Sequence, residues 1–190
     1  MRVIAGRAGG VRLVSPKTGV RPTMDRVKAA IFSSLGETVI GACVLDLFAG
    51  TGALGIEALS RGAESALFVE EDRQSIAAIE KNLEKSKLRG RVRQQEVFGF
   101  LKGARVEKFR IIFADPPYEK MKSGEPFTEK LLRDEALPRL LEPGGVFVLE
   151  KRPSENLPET PLWQLKRQKT YGATEVLFLS SIGNQKSETE

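Results

Sequence analysis

Histidine is missing from these 190 residues, and there is one cysteine (Cys43), one tryptophan and two tyrosines. Without histidine there are no Ser-His or Cys-His nucleophilic pairs, no histidine-ligated metals and no histidine general bases. A lone cysteine excludes an intramolecular disulfide and a cysteine-rich zinc site. Cys43 precedes the first expected strand and reads as a small packed residue rather than a nucleophile. No metal is expected. Long apolar runs are also missing: none approaches the roughly 20 residues that cross a bilayer. The stretch Met1-Arg2-Val3-Ile4-Ala5-Gly6 has no apolar segment after its charge, so no secretion signal is expected. The expectation is a cytoplasmic protein whose chemistry uses carboxylates, tyrosine, backbone groups and a cofactor.

What is present is ordinary in amount and uneven in placement. Hydrophobic residues make up 41% and charged residues 29%, as in a soluble globular chain. The length suits one domain that buries about 70% of its unfolded surface. We expect a single domain over 1–182 with a basic arm at 1–22, a disordered polar tail at 183–190, and a monomer. The formal net charge is +5, and residues 1–28 hold Arg2, Arg7, Arg12, Lys17, Arg21, Arg26 and Lys28 against the single acid Asp25. That asymmetry points to a polyanionic partner.

Taken in order, apolar residues at 3–5 and 11–14 flank a Gly/Arg turn and predict a short basic hairpin relaxed at Gly9-Gly10. Thr23 stands where a helix N-cap belongs, with Asp25 in the first turn. Val27, Ile31 and Leu35, with Phe32 beside them, form a helical stripe. Arg21, Arg26 and Lys28 lie before it or off it, free to face a ligand. Strands are expected at 44–48, 66–69, 91–95, 110–114 and 146–149. Helices follow the first strand and the second (Ile76, Ile79 and Leu83 on one face), and a stretch at 127–141 is kinked or split by Pro138. Such alternation predicts an α/β, three-layer Rossmann-like sheet, mostly parallel, with helices on both faces. Strands at 162–169 and 175–180 have only 170–174 between them, which requires an antiparallel hairpin at the sheet edge.

Two stretches carry chemistry. Four apolar residues at 111–114 run into Asp115-Pro116-Pro117-Tyr118. The prolines supply no N–H and hold the residue before each of them extended. The result is a stiff loop offering a carboxylate, a phenol and accepting carbonyls, suited to a flat substrate bearing an NH₂ group. The second stretch, Gly50-x-Gly52-x-x-Gly55, fits the dinucleotide fingerprint, with Glu70 placed 20 residues past Gly50 to hold a ribose diol. By itself it allows NAD(P) and S-adenosylmethionine equally. Asp46, four residues before Gly50, decides between them: its carboxylate suits a methionine ammonium and would repel a pyrophosphate. Nor is a second domain expected that would bring a hydride acceptor.

The run from Asp46 to Gly55 together with Asp115-Pro116-Pro117-Tyr118 resembles the class I S-adenosylmethionine-dependent amino-methyltransferases. Met1 to Arg7, Arg21-Pro22-Thr23-Met24-Asp25-Arg26 and Tyr171-Gly172-Ala173-Thr174-Glu175 narrow the resemblance to the RsmD-type enzymes, over nearly the whole chain to about Ser180. The resemblance implies N2-methylation of a guanine in bacterial small-subunit (16S) rRNA, free or in an assembling 30S particle. It implies that Phe48, Ala49, Gly50, Thr51 and Gly52 wrap the methionine end of the cofactor, near Asp46, and that Thr23 closes over it. Glu70 takes the ribose, and Glu96 with Val97 reads the adenine. Asp115 and the Pro116 carbonyl hold the target amine and Tyr118 stacks on the base. Arg2, Arg7, Arg12, Lys17, Arg21, Arg26, Lys120 and Lys122 form a basic rim, with 119–126 as a mobile lid or clamp. The alternatives are an adenine-N6 methyltransferase acting on RNA or DNA, and a non-enzymatic RNA-binding assembly factor.

Overall fold

The structure is a computed structural model that describes residues 1–15, 25–104, 107–117 and 124–183. Among the described residues seven strands form one sheet: β1 (Cys43–Leu47), β2 (Ser65–Glu70), β3 (Arg91–Gln94), β4 (Phe109–Ala114), β5 (Leu141–Lys151), β6 (Trp163–Tyr171) and β7 (Thr174–Ser181). Their spatial order is β3-β2-β1-β4-β5-β7-β6. The first five are mutually parallel, while β7 is antiparallel to both β5 and β6. The chain winds outward from β1 to β3, then crosses back to β4 on the other side of β1. Strand order reverses there, so the crevice between the carboxyl ends of β1 and β4 is where a sheet of this kind binds ligands.

Strand residues alternate between two packed faces. On one, Val44, Phe68, Ile111, Phe113 and Val148 meet α1 (Asp25–Leu35), α2 (Ala53–Ser60) and α3 (Arg73–Ser86). On the other, Leu45, Leu47, Ile112, Phe147 and Leu149 meet α4 (Val97–Gly103), α5 (Phe127–Arg133) and α6 (Ala136–Leu140). The expected three-layer α/β sheet with an antiparallel edge hairpin is what forms. Among the described residues no helix is long and apolar enough to cross a membrane.

Several local details differ from the sequence reading. Cys43 is the first residue of β1 rather than a residue ahead of it. Helix α4 was not anticipated; its seven residues are too few to display a helical repeat. The stretch at 127–141 does split, but at Asp134-Glu135 rather than at Pro138. Pro138 has no N–H for the carbonyl four residues back, so the chain breaks one turn earlier. Asp134 Oδ1 then accepts from the N–H of Ala136 (2.9 Å) and Leu137 (3.0 Å). The edge hairpin turns tightly on Gly172-Ala173, with Gly172 at φ +61°, because Thr170, Tyr171 and Thr174 all join the ladder.

The N-terminal hairpin is reduced to one bridge, Arg2 with Arg12, flanked by Val3 N–H to Val11 O at 2.9 Å and Leu13 N–H to Met1 O at 3.2 Å. Four of its other amides, those of Ile4, Ala5, Arg7 and Ala8, are taken by α2. Ile4 and Ala5 donate to the Glu57 carboxylate at 2.7 and 3.0 Å, and Ala8 donates to Ser60 Oγ at 2.9 Å. Gly6, at φ +82°, lies so close that a Cβ would stand 2.0 Å from Ser60 O. Lys28, expected to face a ligand, is instead fully buried; its ammonium donates to Arg2 O at 2.5 Å and pairs with Glu57 at 3.2 Å. The helix turns Lys28 inward beside Val27 because the arm covers that side of α1.

Candidate active site

Asp46, the fourth residue of β1, is 2% exposed, and its Oδ2 accepts the Gly55 N–H at 2.8 Å from the first turn of α2. Burial pushes its pKa up to about 8; the Gly55 hydrogen bond opposes this, and the carboxylates of Asp115 and Glu70 add to it. A desolvated carboxyl between two other acids is a site that a cation stabilises strongly. Three acids therefore meet at the carboxyl ends of β1, β2 and β4.

The loop from β1 to α2 makes three left-handed residues: Phe48 (φ +55°), Gly50 (φ +55°) and Gly52 (φ +74°). Phe48 is not a glycine and carries backbone strain there. Its ring is held edge-on by Phe127 at 5.6 Å and Phe98 at 6.4 Å. Gly55 has a different reason to be glycine, since a Cβ would lie 2.3 Å from Phe68 Cε1. It lets α2 close down on the sheet. Glu70 ties the loop in place: Oε2 accepts Gly50 N–H at 2.8 Å, and Oε1 accepts from Glu71 and Asp72, each at 2.9 Å. A carboxylate has about four acceptor positions, so these three bonds leave room for a diol hydroxyl. Ala49 and Thr51 are buried within the loop, and Thr51 O accepts from Asn82 Nδ2 at 3.0 Å.

Glu96 follows β3 and caps α4, accepting from Phe98 N–H at 3.0 Å and Gly99 N–H at 2.7 Å. It is exposed, just past the carboxyl end of β3. The Val97 side chain is spent on the core with Leu67 and Val69, which leaves its backbone for any ligand. Asp115 follows β4 directly and is half-buried, with Pro116 buried and Pro117 exposed. Tyr118, Thr23, Arg21, Lys17, Lys120 and Lys122 lie outside the described residues, as do residues 184–190 of the expected tail and 119–123 of the expected lid.

The arm's described cations, Arg2, Arg7 and Arg12, are all exposed. Arg2 stands 3.9 Å from Asp25 at the start of α1, and Arg26 is exposed beside it. Arg7 donates to Leu59 O at 3.3 Å, at the far end of α2 from the glycine loop. Its turn is therefore a helix length away from the crevice, which corrects its place in the rim. Arg12 lies against α3, its carbonyl accepting from Lys85 Nζ at 2.6 Å.

Two polar positions escaped the sequence reading. Glu57 gathers Lys28, two arm amides and Arg61, whose Nε lies 2.7 Å away. Asn82 accepts from Val14 N–H at 2.7 Å and donates to Val14 O and Thr51 O, each at 3.0 Å. It joins the arm to the glycine loop. The one available signal was a polar residue inside an apolar helical stripe, Ile79-x-x-Asn82-Leu83. Among the described residues no three His, Cys, Asp or Glu side chains are arranged so that they could hold a metal ion.

A family described as conserved hypothetical protein 95 matches residues 1–180. YlbH of Bacillus subtilis (strain 168), which is named as an rRNA methyltransferase, is 40% identical over 189 residues, 96% of this chain and 100% of that protein. The ribosomal RNA small subunit methyltransferase D of Escherichia coli (strain K12) is 36% identical over 175 residues, 90% of this chain and 85% of that one. The solved Thermus thermophilus 16S rRNA N2 G1207 methyltransferase (RsmC), in complex with AdoMet and guanosine, matches with a TM-score of 0.67 at 26% identity. That match covers 87% of this chain and 44% of that one.

Proposed function

Because the chain belongs to the conserved hypothetical protein 95 family, the family of the ribosomal RNA small subunit methyltransferase D proteins, we propose that it methylates the N2 amine of a guanine in bacterial small-subunit rRNA. It is an S-adenosylmethionine-dependent methyltransferase with the class I fold. The observation that carries the finer reading is the placement of Asp115, at the end of β4, beside the buried Asp46 of β1 and within its electrostatic reach.

The residues present fit the cofactor. Asp46 is a desolvated carboxyl with a raised pKa, suited to an ammonium. The left-handed turns at Gly50 and Gly52 bring backbone close to a ligand without a Cβ in the way, and Glu70 keeps an acceptor for a ribose hydroxyl. When bound, S-adenosylmethionine supplies the electrophilic methyl group.

The guanine N2 amine is a poor nucleophile because its lone pair is delocalised into the ring. Asp115 and the Pro116 carbonyl accept its two N–H groups and draw the nitrogen toward sp³, with no need for prior deprotonation. Tyr118 stacks on the base, a contact worth about 1–3 kcal/mol. Alignment of the two reactants supplies roughly 7–11 kcal/mol of the barrier. Asp115 then takes the proton that the substituted amine releases. The base must first leave its stack, at a cost of a few kcal/mol in a duplex and less in a loop. We further propose that the enzyme acts as a single-domain monomer in the cytoplasm, on small-subunit rRNA that is free or in an assembling 30S particle.

Asp115→Ala is the direct test. Methyl transfer to small-subunit particles lacking the modification should fall at least a thousandfold, while cofactor affinity stays within a few-fold. Intact transfer would overturn the role of Asp115. Mass spectrometry of the labelled rRNA identifies the product, and N6-methyladenine in place of N2-methylguanine would overturn the choice of base.

A further inference from the structure

The exposed run Gln164-Leu165-Lys166-Arg167-Gln168-Lys169-Thr170 lies on the edge strand β6 and holds three cations and no acid. Its ladder with β7 has one irregularity: Leu165 pairs with Leu179, but Arg167, not Lys166, pairs with Phe178. Lys166 is thus the extra residue of a β-bulge. In an unbroken ladder Lys166 and Gln168 would stand opposite Phe178 and Val176. The bulge gives those positions to Arg167 and Lys169.

The exchange decides which face the cations occupy. Val176 and Phe178 belong to the core beneath α1, α2 and α3, whereas Leu177 and Leu179 belong to the other face. Arg167 and Lys169 therefore both stand on the α1 face, and Lys169 Nζ lies 3.3 Å from Ser34 Oγ of that helix. Because β6 runs in the same direction as β5 and β4, the next residue on this face, Tyr171, arrives at the carboxyl edge that bears Asp115. The nearest acid on the ladder, Glu175, pairs with Thr170 on the opposite face and is held by Lys151 at 2.7 Å. Among the described residues no ion pair joins Lys166, Arg167 or Lys169 to an acid. Lysine on an edge strand commonly blocks strand-to-strand association, but that role needs charge alone and no choice of face.

We propose that the bulged strand β6 is a second RNA-backbone track, in which Arg167 and Lys169 hold phosphates beside α1 on the flank away from the N-terminal arm. This rests on the reading that the substrate is rRNA. Such contacts position the strand that bears the target base and leave the chemistry at Asp115 untouched.

The test compares R167Q/K169Q with the charge-preserving R167K/K169R, using small-subunit particles lacking the modification. The neutral pair should raise KM for the particle about tenfold or more, with kcat and S-adenosylmethionine affinity within twofold. The log–log salt slope of particle affinity should become shallower by about 1.4–1.8, as for two lost phosphate contacts. The charge-preserving pair should behave like the wild type. Should the neutral pair fail to fold, R167Q and K169Q singly should each give half the change in slope. A wild-type KM and slope in the neutral variants, or an equal loss in the charge-preserving pair, overturns the second track. Self-association of the neutral variant by light scattering with unchanged KM would assign the charges to edge protection instead. A wild-type enzyme that transfers no methyl group to rRNA would overturn the functional reading itself, a separate outcome.

Discussion

A single carboxyl group, Asp46, sets the pH behaviour of the cofactor site. Its pKa is raised to about 8, so between roughly pH 4 and 8 the folded chain holds a proton that the unfolded chain has released. The unfolded state binds fewer protons in that window, so this group's contribution to stability falls as pH rises through it. Asp46→Asn should remove that dependence and raise the unfolding free energy more at pH 8 than at pH 5, as denaturant titrations at the two pH values would show. The same variant should bind S-adenosylmethionine about 10- to 100-fold more weakly, as expected when a hydrogen bond to a charged group is lost. In the wild type, calorimetry in buffers of different ionisation enthalpy should detect nearly one proton released on binding at pH 7, and in Asp46→Asn none. Equal proton release by both proteins would dissociate Asp46 from the ammonium. Asp46 was legible in the sequence because an acid inside an apolar strand end has no packing reason to be there; its raised pKa was not, since that depends on Gly55, Asp115 and Glu70 converging on it.

At the scale of elements, the docking of the arm on α2 depends on groups that look ordinary in the sequence. Glu57 is fully buried and accepts from Ile4, Ala5, Lys28 and Arg61. Burial lowers the pKa of Lys28, and Glu57 opposes that shift. Glu57→Ala would strand a buried ammonium and two amides, so it should cost about 3–5 kcal/mol in chemical denaturation. Lys28→Met leaves Glu57 with Arg61 and both amides and should cost less, about 1–3 kcal/mol. An equal cost would contradict the hub. Gly6→Ala should release the arm from α2, because its Cβ would meet backbone and its φ is left-handed. Amide exchange at Ile4, Ala5 and Ala8 should rise while the core strands stay protected. The helices were legible where their apolar stripe was long, as in α1 and α3. The short α4 was not, because its phenylalanines are read by tertiary neighbours rather than by period.

For the whole molecule, two basic regions flank α1: Arg2 and Arg26 with the arm on one side, and Arg167 and Lys169 on the other. If the arm contributes about four phosphate contacts, rRNA affinity should fall with salt at a log–log slope of roughly −3 to −4 before the β6 contacts are counted. A salt-independent affinity would remove RNA from both regions. The distribution matters more than the net charge of +5, because phosphate contacts act where they stand.

The sequence by itself determined the layered α/β architecture, the methyl-donor loop and the Asp115 motif. Each of these is written in local residue order: strand–glycine–helix periodicity for the first two, and two prolines after an apolar run for the third. Tertiary structure alone decided which charges face solvent. Lys28 and Arg7 belong to the same basic run, yet one is buried against Glu57 and the other is tied to the far end of α2. It also decided the face of Arg167 and Lys169, since a one-residue bulge inverts the alternation and no local preference announces it. The physical reason is common to both: burial and facing are properties of what packs across from a residue, and that partner is distant in the chain.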